Sequence, residues 1–217
     1  MDGSEFRVYL TLSDRSNTRF CSLVMTACAP SSTPTPAHTD LLTPEPAVRA
    51  GDTPTVTPTN RPGWVAFQGK DIWLMYPAAW SSEVRADAAR FLYIESSTRD
   101  LNMNITRVAL GKFRDAKTLE DVDKAVWSAS LRVYELAEQR NKVKLESHET
   151  IEVGGQPATK RVFAAPVIRD PSETVHKMLV LVVRGADVYQ IVANAASESA
   201  LRGAEITEII ASVQFTP

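Results

Sequence analysis

The sequence predicts one α+β domain over residues 63–217, an antiparallel β-sheet flanked by two main helices. Three observations support this fold class. Runs of apolar and β-branched residues are separated by short turns, which join neighbouring strands in antiparallel pairs. One segment near the middle of the domain and one near its end repeat apolar residues every three or four positions, as amphipathic helices do. The predicted order of elements is ββββαββββα.

The first four strands open the domain. Residues 64–67 and 72–76 predict a hairpin around a glycine-containing turn, and Pro77 ends the second strand. Residues 90–95 and 101–110 predict two further strands. The last strand alternates apolar and polar side chains, which predicts one buried face and one face in water. The two sets are Leu101, Met103 and Ile105 on one face, and Asn102, Asn104 and Thr106 on the other.

A change of period predicts a long amphipathic helix over residues 119–140. Thr118 is a suitable N-cap, since its hydroxyl can accept a hydrogen bond from a free backbone N–H. Acidic residues in the first turn suit the positive end of the helix dipole. We interpret the charged residues near the helix start as its solvated face; these are Glu120, Asp121, Asp123 and Lys124.

Four strands, a helix and a short strand complete the domain. The strands are predicted over residues 143–153, 159–165, 174–184 and 188–193. Residues 178–183 are apolar on both alternations, which predicts a central strand buried on both faces. Gly154-Gly155 is interpreted as a turn, because a strand follows it and not the helix that a phosphate cradle requires. Ser197 or Ser199 caps the final helix, and Gln214-Phe215 forms the closing strand.

The N-terminal segment carries the signature of an export signal. Arg15 and Arg19 precede an apolar run over residues 20–27. Met25-Thr26-Ala27-Cys28 resembles a bacterial lipobox, in which the cysteine is diacylated and becomes the mature N-terminus. The resemblance implies a lipoprotein signal peptide over residues 1–27 and lipidation at Cys28. The alternative is an unstructured leader with an incidental cysteine, since acidic and basic residues cancel in this leader.

Residues 28–62 predict a disordered tether rich in Pro and Thr. Proline lacks the backbone donor that helices and sheets require, and the segment holds few large apolar residues. Fully stretched, the tether would reach about 100 Å. Together with lipidation it predicts a domain held at the extracytoplasmic face of a bacterial membrane, in the cell envelope.

Short motifs throughout the domain resemble the PsbP-like superfamily, which includes photosystem II extrinsic proteins, the Ran-release-factor fold and bacterial DcrB-like lipoproteins. The motifs are Phe67 to Tyr76-Pro77-Ala78-Ala79-Trp80, Gly155-Gln156-Pro157-Ala158, Asp187-Val188-Tyr189-Gln190-Ile191 and Ile209 to Phe215. The resemblance spans most of residues 64–217 and implies a PsbP-like α/β/α sandwich. It implies no catalytic residue.

The chemistry of the domain offers little for catalysis. A formal net charge of −2 argues against nucleic acid as a partner. Cys21 and Cys28 both precede the domain, which excludes a thiolate metal site within it. His148 and His176 lack a second ligand at metal-binding spacing. We therefore assign no catalytic, cofactor-binding or metal-binding residue and no cofactor.

Aromatic side chains are the other candidates, because their polar edges suit both cores and ligand grooves. We interpret them as core residues; they are Trp64, Trp73, Tyr76, Trp80 and Trp127.

These features favour a membrane-anchored extracytoplasmic lipoprotein with a non-enzymatic binding or accessory domain. Its partners would be the membrane, through the lipid anchor, and an unknown protein or small-molecule ligand. One alternative is an envelope enzyme or ligand carrier that uses the groove between sheet and helices. A deep pocket with His148 or His176 beside a carboxylate would favour that alternative. Another alternative, a photosystem-associated assembly factor, rests on analogy of fold.

Overall fold

The computed structural model describes residues 61–84, 90–113, 115–134 and 137–216, and the backbone of two short N-terminal strands. These strands, β1 (Glu5–Val8) and β2 (Leu23–Thr26), pair antiparallel within the predicted signal peptide. Cys28 and the tether up to residue 60 lie outside the described residues. Lipidation and the signal peptide therefore stay predictions.

The domain contains ten strands and four helices among its described residues. The strands are β3 (Trp64–Gln68), β4 (Ile72–Pro77), β5 (Ser81–Val84), β6 (Arg90–Glu95), β7 (Leu101–Ala109), β8 (Lys144–Val153), β9 (Gln156–Pro166), β10 (Thr174–Arg184), β11 (Asp187–Ala195) and β12 (Gln214–Phe215). The helices are α1 (Leu119–Arg132), α2 (Ala137–Asn141), α3 (Glu198–Leu201) and α4 (Ala204–Ala211). None of these helices is long and apolar enough to cross a bilayer.

The strands form two antiparallel sheets. The larger sheet has the order β5-β6-β7-β11-β10-β9-β8, and the smaller has the order β12-β4-β3. The α+β class is confirmed, and so are the opening hairpin and the closing strand. The prediction of a single sheet is wrong, because the hairpin lies in the smaller sheet. Ile72, Leu74 and Tyr76 of β4 pack into the core, and so the smaller sheet covers a face of the larger one.

Two hydrophobic clusters lie on opposite faces of the larger sheet. One face packs against the smaller sheet, α3 and α4, and the other, here called the α1 face, packs against α1. Strand β10 serves both clusters, with Met178, Val180 and Val182 on the first face and Leu179 and Leu181 on the α1 face. The prediction of a central strand buried on both faces is confirmed.

The helices are shorter than predicted. The long helix ends at Arg132, and α2 follows as a separate element. Val122, Val126 and Tyr134 are all buried on the α1 face, so the apolar period continues past the helix end and could not locate the break. The final helix is likewise divided into α3, capped by Ser197, and α4, which starts after Gly203.

The N-terminus of α1 forms as predicted. Thr118 and Asp121 make a capping box, in which each side chain accepts a hydrogen bond from the other residue's backbone N–H. This cap fixes the start of the helix and hence the position of the residues that it presents to the sheet.

Candidate ligand-binding strip on the sheet

Buried polar side chains occupy part of the α1 face, where buried positions are usually apolar. Asn102, Asn104 and Thr106 of β7 are 2, 3 and 5% exposed. The expectation that they face water is therefore wrong. Alternation along β7 does put them opposite Leu101, Met103 and Ile105, but that alternation cannot show whether the polar face is covered.

The register of the strands extends this polar region across the sheet. Asn102 on β7 lies opposite Asn194 on β11, and Asn194 lies opposite Lys177 on β10. The Asn194 Nδ2 group donates a hydrogen bond of 3.0 Å to Asn102 Oδ1. Directly opposed side chains in such pairs have Cβ atoms about 5 Å apart. We call Asn102, Asn104, Thr106, Lys177 and Asn194 the polar strip.

Lys177 is the charged member of the polar strip. It is 5% exposed, and burial lowers the pKa of its ammonium from 10.5 to about 8. Within the part of the chain that the structure describes, no hydrogen bond or ion pair joins this ammonium to another residue. Its other cross-strand neighbour, Phe163, is apolar. A buried cation without a carboxylate is costly, which makes this position a candidate site.

A second buried charge on the α1 face, Asp123 of α1, is fully compensated. Its carboxylate accepts hydrogen bonds from Arg161 Nε (2.9 Å), from Arg161 Nη2 and from Thr159 Oγ1 (3.1 Å). The Arg161 guanidinium lies over the Trp127 ring, 5.1 Å from its centroid. Asp123 is 1% exposed, so its assignment to the solvated face of the helix is wrong. This cluster attaches α1 to β9.

Tertiary structure places both histidines of the domain beside carboxylates, which sequence spacing had not shown. His148 Nε2 lies 3.2 Å from Asp123 Oδ2, and the His148 side chain is 37% exposed. His176 Nδ1 lies 3.3 Å from Glu146 Oε1, without the geometry of a hydrogen bond. Among the described residues, no group of three or more His, Cys, Asp or Glu side chains is placed to hold a metal ion.

The aromatic residues do not gather into one groove. Tyr76 and Trp80 are buried in the core between the sheets, and Trp64 packs against the same core. Trp127 lies on the α1 face, edge-on to Phe163 at 5.0 Å between ring centroids. These positions agree with the interpretation of Tyr76, Trp80, Trp64 and Trp127 as core residues. Trp73 is an exception, because it is only half-buried on β4 and belongs to neither hydrophobic cluster.

The Gly154-Gly155 turn is confirmed as a two-residue hairpin connection between β8 and β9. Both glycines have positive φ, 57° and 73°, as this kind of tight turn requires. At Gly154, a Cβ would also lie 2.8 Å from the Phe215 ring. The turn thus lets β12 pass close to the end of the larger sheet.

Sequence reasoning missed Lys177 and Asn194. The sequence did contain a signal for Lys177. Lys177, Leu179 and Leu181 are alternate residues of one strand and so share a face, and that strand was predicted to be buried on both faces. Strand alternation alone therefore put a lysine on a buried face.

Comparison with known proteins identifies the fold. Neither the family models nor the curated proteins gave a match. Among solved structures, a cyanobacterial PsbP (CyanoP) from Synechocystis sp. PCC 6803 aligns with a TM-score of 0.53 at 13% identity, covering 77% of this chain and 99% of that one.

Two other solved structures overlap less closely. The Saccharomyces cerevisiae Ran-binding protein Mog1p has a TM-score of 0.47 at 12% identity, over 70% of this chain and 93% of its own. LpqN of Mycobacterium tuberculosis, involved in cell envelope biogenesis, has a TM-score of 0.43 at 14% identity, over 71% and 91% of the two chains. The likeness to the cyanobacterial protein shows the fold, and this domain is a PsbP-like α+β fold.

Proposed function

We propose that this chain is a membrane-anchored extracytoplasmic lipoprotein whose domain is a non-enzymatic binding module with its ligand site at the polar strip. The observation that carries the binding role is Lys177, a buried lysine whose ammonium has no counterion among the described residues. The lipobox-like sequence ending at Cys28 and the Pro-rich tether support the anchored location.

The composition of the polar strip suits recognition. Asn102, Asn104 and Asn194 contribute carboxamides, Thr106 a hydroxyl and Lys177 an ammonium. These groups donate and accept hydrogen bonds in fixed directions from a rigid sheet. A core built only for stability would favour apolar side chains at the same positions, since buried polar groups gain little even when paired. A ligand would explain why polar groups occupy them.

Mass analysis tests the anchor. The full chain is expressed in a bacterial host, extracted with detergent and compared with its Cys28→Ser and Cys21→Ser variants. We expect a mature chain that begins at Cys28 and carries added acyl mass in the wild type and in Cys21→Ser, but not in Cys28→Ser. An unprocessed chain in the soluble fraction would exclude lipid anchoring.

A binding screen tests the site. Small polar metabolites are screened for stabilisation of the full-length Cys28→Ser chain, alone and combined with Lys177→Met. Lys160→Met is the matched control. Lys160, on β9, lies on the face of the larger sheet opposite the α1 face, and its ammonium pairs with Glu149 at 2.8 Å. We expect to find compounds that stabilise the Cys28→Ser chain with and without Lys160→Met, but do not stabilise the chain that carries Lys177→Met. Turnover of a bound compound, abolished by a substitution that leaves folding intact, would contradict the non-enzymatic role.

The contact between His148 and Asp123 favours a second candidate, the envelope enzyme or ligand carrier. A buried carboxylate that orients a half-exposed imidazole is an arrangement used for proton transfer. Arg161 already compensates the charge of Asp123, which weakens this reading. Hydrolysis of activated esters, lost in His148→Ala and kept in His176→Ala, would support the enzyme. Equal background hydrolysis in both variants would exclude it.

A further inference from the structure

We infer that the polar strip binds an oxyanion group, a carboxylate or a phosphate, with the ammonium of Lys177 as its counterion. The inference rests on the proposed binding function and adds the chemical class of the ligand. It follows from the balance of buried charge on the α1 face and from the groups that flank Lys177.

The buried charges that the structure describes on the α1 face do not balance. Among the described residues, three charged side chains are buried: Asp123, Arg161 and Lys177. All three lie on or against this face. Asp123 and Arg161 neutralise each other through paired hydrogen bonds, which leaves the single positive charge of Lys177. A ligand that brings one negative charge would complete the balance.

Asp123 is not available to Lys177 as a partner. Both of its oxygens accept hydrogen bonds from Arg161, and Thr159 and His148 occupy further positions around them. In the register of the sheet, Arg161 lies opposite Leu179, two residues along β10 from Lys177. The guanidinium, which matches a carboxylate in shape, therefore holds Asp123 in place.

The neighbours of Lys177 suit the rest of an oxyanion. Asn194 is its direct cross-strand neighbour and holds Asn102 by a side-chain hydrogen bond. Carboxamide N–H groups can donate to the oxygens that the ammonium does not reach. Phe163, on the other side, excludes water from one flank and so strengthens the attraction between opposite charges. One ammonium and two carboxamides form a compact site for a compact anion.

The test uses succinate and inorganic phosphate as probes of the two anion classes, and succinamide as an uncharged control. All are added to the full-length Cys28→Ser chain at constant ionic strength. We expect succinate or phosphate to raise the Tm by several degrees, with no rise for succinamide. The rise should disappear in Lys177→Met and persist in Lys160→Met. An equal rise in wild type and Lys177→Met would overturn the inference.

A second measurement needs no substitution of Lys177. The pKa of its ammonium is followed by NMR of the ¹³Cε resonance with and without saturating succinate or phosphate. A bound anion favours the charged form, so we expect the pKa to rise from about 8 towards 10.5. An unchanged pKa would overturn the inference. If an uncharged compound binds instead, and Lys177→Met abolishes that binding, the proposed function stands and only the anionic ligand class is wrong.

Discussion

Asp123 and Lys177 are both buried on the α1 face, yet their surroundings differ in kind. Asp123 meets a guanidinium, a hydroxyl and an imidazole, while Lys177 meets a phenyl ring and a carboxamide. A buried charge with all its hydrogen bonds made is part of the architecture. A buried charge without a described partner lowers stability, and such a position is a candidate for a functional site.

Substitutions at the two sites should change the free energy of unfolding in opposite directions. The largest change is expected where the charge is compensated, at Asp123 and Arg161. Arg161→Met should lower the free energy of unfolding by about 3 kcal/mol or more, because Asp123 would remain buried without its cation. Urea unfolding at pH 7 measures this loss. The double variant Asp123→Leu with Arg161→Met should recover most of it, since no unpaired charge remains. A loss below about 1 kcal/mol in the single variant would show that the pair does not hold α1 on the sheet.

Lys177→Met should instead raise the free energy of unfolding by about 3 kcal/mol at pH 7. Burial lowers the pKa of Lys177 from 10.5 to about 8, and each pKa unit corresponds to about 1.4 kcal/mol. Methionine keeps much of the side-chain volume without the charge. Urea unfolding of Lys160→Met provides the control for loss of a lysine as such. A destabilised Lys177→Met would mean that the ammonium is already compensated in the free protein.

The titration of Lys177 should also appear in the pH dependence of the free energy of unfolding. The unfolded chain binds more protons than the folded one between the folded pKa of about 8 and the unfolded value of 10.5. The free energy of unfolding should therefore rise across this window, by about 2 kcal/mol at pH 10. Burial raises the pKa of Tyr134 to about 12, which lowers stability only above pH 10. Urea unfolding between pH 7 and 10 should show the rise in wild type and a flat profile in Lys177→Met.

Local patterns predicted the elements of the fold but not what covers them. Alternation in β7 correctly divided its side chains into two faces, and the spacing of turns gave antiparallel neighbours. Whether Asn102 and Asn104 meet water depends on the chain packed over them, and their own strand does not encode that. The smaller sheet was missed for the same reason, because β4 pairs with β12 from the far end of the domain.

Part of the candidate site could be predicted from the sequence. The phase of Lys177 with Leu179 and Leu181 put it on a buried face, and Asp123 lies one helical turn from Trp127, which packs against the sheet. The partner of Asp123 could not be predicted from the sequence, because Arg161 lies 38 residues further along the chain. Whether a buried charge is compensated is a tertiary property, and it is the property that separates the two regions.

The smallest effect is expected at an exposed ion pair one residue along α1 from Asp123. Lys124 Nζ lies 2.7 Å from Glu120 Oε1, yet their side chains are 66 and 70% exposed. Water and salt screen such a pair, so Lys124→Met should leave the midpoint of urea unfolding unchanged within error at physiological ionic strength. The pair between Arg161 and Asp123 is also in direct contact but is buried, so the two variants compare an exposed ion pair with a buried one. A clear loss in Lys124→Met would mean that the pair with Glu120 stabilises α1 despite its exposure, and exposure alone would then not separate the weak ion pair from the strong one.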